Sequence, residues 1–310
     1  MGIPHVEPEL FWNLEVPLAP IAEQTRIVAH VEHLLAKVRS TNRRIRKVKV
    51  ILKRFRQAVL SAACSGRLTA DWRKGADLEL ERWKEAVLKD VAELRLGKML
   101  DKAKNIGKPT HYLRNLNVRW FSFDLALVEK MRATPEEQIK LEIKDGDLLV
   151  CEGGEPGRCA VWDLGPSNLI FQKAIHRIRV KEMVTPHWLA FNIRNDTNSA
   201  RLEDYFTGTT IKHLTGRALA EYRFPLPSLV EQMEIVHRVE AMFKLAEAVE
   251  KRVAAAIVRA EKLNQAILAK AFRGDLVPTE AELARREGRP YESASELLAR
   301  IKSERKERVG

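Results

Sequence analysis

Side chains able to read a polyanion crowd the middle of the chain. Lys98, Lys104, Lys108, Arg114, Asn117 and Arg119 form one group. Arg158, Gln172, Lys173 and Arg177 form a second, and Thr209, Thr210 and Lys212 a third. Arg and Lys present donors that fit a guanine edge, Asn and Gln match adenine, and hydroxyls serve either. These residues fall where Gly, Pro and polar side chains predict loops and strand ends, the usual place for recognition groups on a rigid scaffold.

Catalytic chemistry has less to work with. There is no Asn-Pro-Pro-aromatic or Asp-Pro-Pro-Tyr sequence for amino-group methylation, no Gly-x-Gly loop for S-adenosylmethionine and no Walker lysine. Glu142-Ile143-Lys144, with Asp124 upstream, imitates a metal-binding nuclease set, although a charged strand edge explains it equally simply. The eight histidines show no ligand spacing, and His176 reads as a packing or phosphate residue. Cys64, Cys151 and Cys159 are too scattered for a zinc site or a disulfide framework, which points to a reducing, cytoplasmic compartment. No catalytic residue, metal or cofactor is expected. Trp72, Trp83, Trp120, Trp162 and Trp188 read as core residues.

The chain has 310 residues, a net charge of +12 and a pI near 9.7, a balance that favours polyanionic partners. No apolar run approaches the roughly 18 to 20 residues of a membrane span. The N-terminus lacks the basic and apolar regions of a signal peptide, and Val6 stands where a myristoylation signal needs Ser or Thr. The charge is unevenly placed. Between His33 and Ala70 there is no Asp or Glu, while Lys37, Arg39, Arg43, Arg44, Arg46, Lys47, Lys49, Lys53, Arg54, Arg56 and Arg67 all fall there. Such a run is often only a solvated helix face. Unrelieved repulsion along it favours an outside anion, with Arg43, Arg44, Arg46 and Lys47 facing a phosphate backbone or an acidic partner.

An internal repeat organises the chain. Val16-Pro-Leu-Ala-Pro-Ile-Ala-Glu-Gln24 returns as Phe224-Pro-Leu-Pro-Ser-Leu-Val-Glu-Gln232, an offset of 208 residues. At that offset Ile27 matches Ile235, Val31 matches Val239, Gln57-Ala58 matches Gln265-Ala266, and Gly66 matches Gly274. Each copy predicts a Pro-bounded strand or turn, a long helix and a Gly stop. Apolar residues step by threes and fours from Val28 to Ala62 and from Val236 to Ile267, with a slip at Thr41 and at Val249. That is a coiled-coil seam, and the shared slip predicts two helices packed on each other.

Between the helices, residues 76–223 are long enough for a domain. Leu80 to Val91 reads as helical, Leu148 to Val150 and Cys159 to Trp162 as buried strands, and Ile170 to Val180 as an alternating strand that puts Lys173, Ile175, Arg177 and Arg179 on one face. Pro186 to Ile193 reads as a helix. The expected class is α/β: a twisted-sheet domain flanked by two long helices in an antiparallel coiled coil.

The repeated Pro-Leu-x-x-x-x-Glu-Gln helix start, placed around one α/β domain, resembles the specificity subunits of type I restriction–modification systems. Tyr112-Leu-Arg-Asn-Leu-Asn-Val118 is similar to that family's Tyr-Leu-Arg-x-x-Asn-Val stretch, and Asp145-Gly-Asp-Leu-Leu149 to its Gly-Asp-Ile/Leu-Leu strand. Gly154-Glu-Pro-Gly-Arg158 resembles its Gly-x-x-Gly-Arg loop, and Gly208-Thr-Thr210 its Gly-Thr-x loop. The resemblance implies a DNA-recognition subunit without catalysis of its own. Its partners would be double-stranded DNA, methyltransferase subunits and, through the complex, a restriction and translocase subunit. The family carries two target recognition domains, and this sequence carries one. Residues 1–20 then read as the tail of a first recognition domain with its Pro-bounded strand, which predicts a truncated subunit, a split-gene product or a fragment, and leaves a homodimer open. The expected order continues with helix 1 over 21–66, the recognition domain over 76–223, a Pro-Leu strand and helix 2 over 224–275, and a charged tail over 276–310. A coiled-coil adaptor without DNA specificity is the alternative; it explains the helices but leaves the basic inner domain without a role.

Overall fold

The computed structural model of the protein describes residues 7–75, 83–101, 103–208 and 210–309. The chain divides into two compact units. One takes in residues up to Ile51 together with those from Ala248 onward, and the other runs from Leu52 to Glu247.

A short helix, α1 (Pro8–Trp12), precedes α2 (Ile21–Cys64), and α8 (Leu229–Phe272) is its counterpart in the repeat. Each long helix has 44 residues and neither Pro nor Gly inside, so each spans roughly 66 Å at 1.5 Å per residue. Gly66 and Gly274 end them, at φ 74° and 76°, a left-handed conformation that costs glycine nothing. Both helix starts use one device. Gln24 Nε2 donates to Ala19 O at 2.6 Å, and Gln232 Nε2 donates to Pro227 O at 3.0 Å, the equivalent carbonyl. The preceding glutamates, Glu23 and Glu231, are both buried. Each is used by the segment that follows the other long helix. Glu231 accepts from Thr69 Oγ1 at 2.7 Å, from Arg73, and from Trp83 Nε1 at 2.9 Å, which docks α3 (Ala70–Gly75). Glu23 accepts the amide of Glu280 at 2.8 Å, at the start of α9 (Glu280–Glu287).

The residues expected to form a charged tail are thus folded. The Glu280 carboxylate receives Arg26 and Arg289, Thr279 caps α9, and α10 (Ala294–Val309) follows. The apolar seam also differs in detail. Thr41 and Leu263 face outward, and Asn42 and Asn264 turn into the seam instead. Their Oδ1 atoms are sealed from solvent without a hydrogen-bond partner. Val28 lies off the seam and is exposed.

In the second unit, β1 (Lys84–Val87) pairs antiparallel with β11 (Arg223–Leu226), so the chain enters and leaves the inserted domain side by side. This overturns the helix expected over Leu80 to Val91. Residues 76–82 lie outside the described residues, the next stretch is strand, and only α4 (Leu88–Val91) is helical. Pairing with β11 overrides local helical periodicity. By contrast, residues 13–20, where the first copy was expected to form the same strand, form no strand and pair with none among the described residues.

The domain's main sheet has the order β2 (Ala92–Leu96), β10 (Ile175–Val180), β7 (Leu148–Cys151), β8 (Cys159–Val161), all antiparallel. A second sheet has the order β6 (Glu129–Ala133), β3 (Lys108–Leu113), β9 (Ile170–Phe171), and β4 (Val118–Arg119) pairs with β5 (Ser122–Phe123). Every residue of β7 is buried because each face meets a different core. Leu148 and Val150 join Trp188, Leu189 and Ile193 of α6 (Pro186–Asn198) together with Tyr222 and Phe224. Leu149 and Cys151 join Tyr112, Leu113, Met131 and Phe171 under the second sheet. The first of these cores also takes in Val59, Leu60 and Ala63 from α2 and Ile235 and Val239 from α8. The end of one long helix therefore packs on the start of the other, antiparallel, and carries the domain. The alternating strand expected over Ile170 to Val180 is really two strands in different sheets. It breaks at Gln172–Ala174, where Ala174 takes φ 106°. Two short helices, α5 (Pro135–Lys140) and α7 (Gly216–Ala220), complete the domain. No helix among the described residues is long and apolar enough to cross a membrane.

Candidate nucleic-acid interface

On α2, Arg43, Arg44, Arg46 and Lys47 are exposed. None of the four forms an ion pair among the described residues, and their charges are left to solvent or to a partner.

The candidates in the domain separate into three kinds. Five are already engaged by carboxylates. Lys98 pairs with Glu137, and Arg114 with Glu129 at 2.5 Å. Arg119 pairs with Asp124 at 3.2 Å, Arg158 with Glu155 at 3.0 Å, and Lys212 with Glu203. Exposed pairs such as those of Arg119 and Lys212 contribute only about 0–1 kcal/mol, so a phosphate can replace the carboxylate. Lys98 and Arg158 are tucked in. Arg158 also donates to Asn115 O at 2.7 Å.

A second kind faces inward, contrary to expectation. Asn117 spends its whole amide on the backbone, accepting from Arg114 N at 2.8 Å and donating to Asp124 O and Leu127 O at 2.8 and 2.9 Å. Arg177 is 3% exposed and donates to Glu142 O at 2.6 Å and Lys140 O at 3.3 Å. Burial, with Arg179 beside it, pulls its pKa below the usual arginine value. β10 is the second strand from the sheet edge and is covered on both faces, so Arg177 cannot reach outward as an edge strand's side chain would. Gln172 has its Oε1 sealed without a partner. His176 sets Nε2 3.1 Å from Leu214 O, and burial lowers its pKa, which makes it a packing residue.

The third kind is open. Lys108, Lys173 and Thr210 are exposed, and Lys104 is exposed with only a distant Asp101 at 3.9 Å. Thr209 lies outside the described residues. Lys130 and Arg132 on β6 are exposed as well, and the sequence reading passed over them. Their signal was the alternation Glu129-Lys130-Met131-Arg132-Ala133, in which Met131 and Ala133 are buried.

The nuclease-like fragment does not assemble. Asp124 is held below the usual carboxylate range by Ala126 N and by Arg119, and Glu142 pairs with Lys144 at 3.3 Å. Among the described residues no cluster of His, Cys, Asp and Glu could hold a metal ion.

Known proteins share this arrangement. The type I restriction modification DNA specificity domain matches residues 80–258, which covers the inserted domain and the first part of α8. The specificity subunit of the type I restriction enzyme EcoKI from Escherichia coli (strain K12) is 32% identical over 314 residues, spanning 98% of this chain and 67% of that protein. The chain belongs to the type I restriction–modification specificity family. The EcoBI specificity subunit from Escherichia coli is 31% identical over 98% of the chain and 67% of that protein. Among solved structures, a chain from a study of assembly and conformational transition of the type I R-M system superposes with a TM-score of 0.66 at 23% identity, covering 89% of this chain and 65% of that one. The HsdS subunit from Thermoanaerobacter tengcongensis superposes with a TM-score of 0.57 at 23% identity, covering 88% and 64%. Those two likenesses carry the fold. The chain spans about two thirds of the length of these family members.

Proposed function

We propose that this chain recognises a DNA sequence for a type I restriction–modification complex in the cytoplasm. It would direct methyltransferase subunits, and through them a restriction and translocase subunit, to the target. The observation that carries the reading is a family match that runs through both long helices and the inserted domain alike. An adaptor built only of helices would not need that domain. The division of labour follows from the repeat. Near-copies cannot read different half-sites, so base choice belongs to the unrepeated segment 76–223. Phosphate contact belongs in part to the basic face of α2, and Lys104, Lys108, Lys173 and Thr210 are the domain candidates already open to a partner. A second copy of the chain could supply a second recognition domain.

Filter binding to random duplex DNA over a salt series tests this. Replacing Arg43, Arg44, Arg46 and Lys47 together by Gln should weaken binding equally for all sequences. The dependence of log K on log salt should become shallower by about three to four, near 0.9 per lost phosphate contact. An unchanged slope assigns the run to a solvated or protein-binding face. A wild-type chain that binds no duplex leaves only the adaptor.

A further inference from the structure

The β3–β6 pair is unusual within the domain. β3 pairs with β6 over five of its six residues, from Lys108↔Ala133 to Tyr112↔Glu129. On its other side it meets β9 only at Tyr112 and Leu113. From Lys108 to His111 it is therefore a two-stranded ribbon with both edges free among the described residues, and the β3 edge opens on a groove of about 410 Å³. B-DNA's major groove admits such a ribbon.

The outward face of the ribbon is one-sided in charge, while the adjoining groove also holds Glu142, which pairs with Lys144 at 3.3 Å. His111 lies opposite Lys130, and Pro109 opposite Arg132, so His111, Lys130 and Arg132 share the outward face. Lys130 and Lys108 have no carboxylate partner among the described residues. Arg132 spends one donor on Gly107 O at 3.1 Å and keeps the rest. The nearest acid on the ribbon, Glu129, is neutralised by Arg114 and takes the Tyr112 hydroxyl.

The groove itself holds reading groups. His111, Gln138 and Asn168 line it, with Ile139 at its rim, 75% exposed. Gln138 donates one amide hydrogen to Ala133 O at 3.1 Å and keeps its carbonyl and second hydrogen. α5, which carries Gln138 and Ile139, is fixed at both ends. At its start Thr134 and Glu137 form a capping box, and Lys98 reaches Glu137. At its end Arg177 binds the carbonyls of Lys140 and Glu142. Two side chains read from sequence as DNA contacts, Lys98 and Arg177, are thus positioning residues for this groove. Gly107, at φ 102°, closes the ribbon's end; a Cβ there would stand 2.2 Å from Ala133 O.

We infer that the β3–β6 ribbon is the element that enters the DNA major groove, with Lys130 and Arg132 on phosphates and His111, Gln138 and Asn168 reading bases beside Ile139. This rests on the DNA-recognition reading above and deepens it to a surface. The apolar rim suits a thymine methyl, and the amides suit adenine.

The test uses the full chain and two measurements. In salt-dependent duplex binding, Lys130→Gln with Arg132→Gln should make the slope shallower by about two. Lys302→Gln with Lys306→Gln on α10, which removes the same charge, should leave it nearly unchanged. In a binding selection over a randomised duplex, Asn168→Ala and His111→Ala should each flatten preference at one base position by roughly 5- to 150-fold. Thermal unfolding checks that the variants are folded, and the exposed Asn168 is the safest of them. If wild type binds DNA and the Lys130/Arg132 variant keeps its slope, the ribbon proposal fails and the function stands. Altered capture of a protein partner with unaltered DNA binding would reassign the ribbon to that partner. A wild type that binds no duplex removes both readings.

Discussion

The two copies of the repeat start alike and end in different surroundings. Phe224-Pro-Leu226 is a strand zipped to β1, and Phe224 is 1% exposed. Val16-Pro-Leu18 is the same pattern with no strand beside it among the described residues, and Val16 is 63% exposed. Gln232 donates to Pro227 O and also grips the domain, accepting from Thr185 N at 2.8 Å and donating to Met183 O at 2.9 Å. Gln24 makes only the first of these contacts. The helix start is therefore a local property, written in nine residues and executed twice. The strand is a tertiary property, formed only where a partner strand is present.

The largest expected contrast is in packing. Phe224→Ala should cost about 3–5 kcal/mol, the usual loss for a fully buried ring. Val16→Ala should stay within about 0.5 kcal/mol. Denaturant unfolding of the full chain measures both, and comparable losses would mean that the first copy is covered in solution.

The next contrast is electrostatic. Glu231→Ala leaves Arg73, Thr69 and Trp83 without their shared acceptor, and stranding a mostly buried guanidinium costs about 3 kcal/mol. Glu23→Ala removes one amide contact at the start of α9, a capping loss of about 1 kcal/mol. Equal losses from the two variants would erase the distinction between the helix starts.

The smallest effect is a pH dependence at the first of them. Hydrogen bonds from Arg26, then Arg289, hold the Glu280 carboxyl below the usual glutamate range. A depressed folded-state pKa means stability that is present above the unfolded value, about 4.3, and lost as pH falls through the folded one. Protection of the α9 amides, taken relative to the intrinsic exchange rate at each pH, should hold steady from pH 7 to about 5 and fall only below the glutamate range, earlier than in β7. Protection already lost between pH 7 and 6 would show that another group controls the dock.

Much of the fold could be read from the sequence because it is periodic or punctuated. The long helices, their glycine stops, β7 and β8 followed from residue type and spacing. What escaped depends on partners distant in sequence. β1 is a strand because β11 lies beside it, and the tail folds because Glu280 meets Arg26. The candidate interface was legible as a composition and illegible as a surface. Arg177 and Asn117 have the right chemistry, yet a strand inside a two-faced sheet and a turn full of unpaired backbone groups claim them. Spacing alone could not show that Glu129, Glu137, Glu155 and Glu203 would each take one of the expected cations.

The β1–β11 ladder also bears on the order of assembly. Val59 and Val239, which belong to one core, are about 180 residues apart along the chain, a long and entropically costly loop to close. Once Lys84 stands beside Leu226, the path between them shortens to about 38 residues. The logarithmic cost of loop closure then falls by about 1.4 kcal/mol, close to a tenfold gain in the probability of encounter. An inserted domain that folds first would thus act as a clasp, shortening the search by which the two long helices find each other.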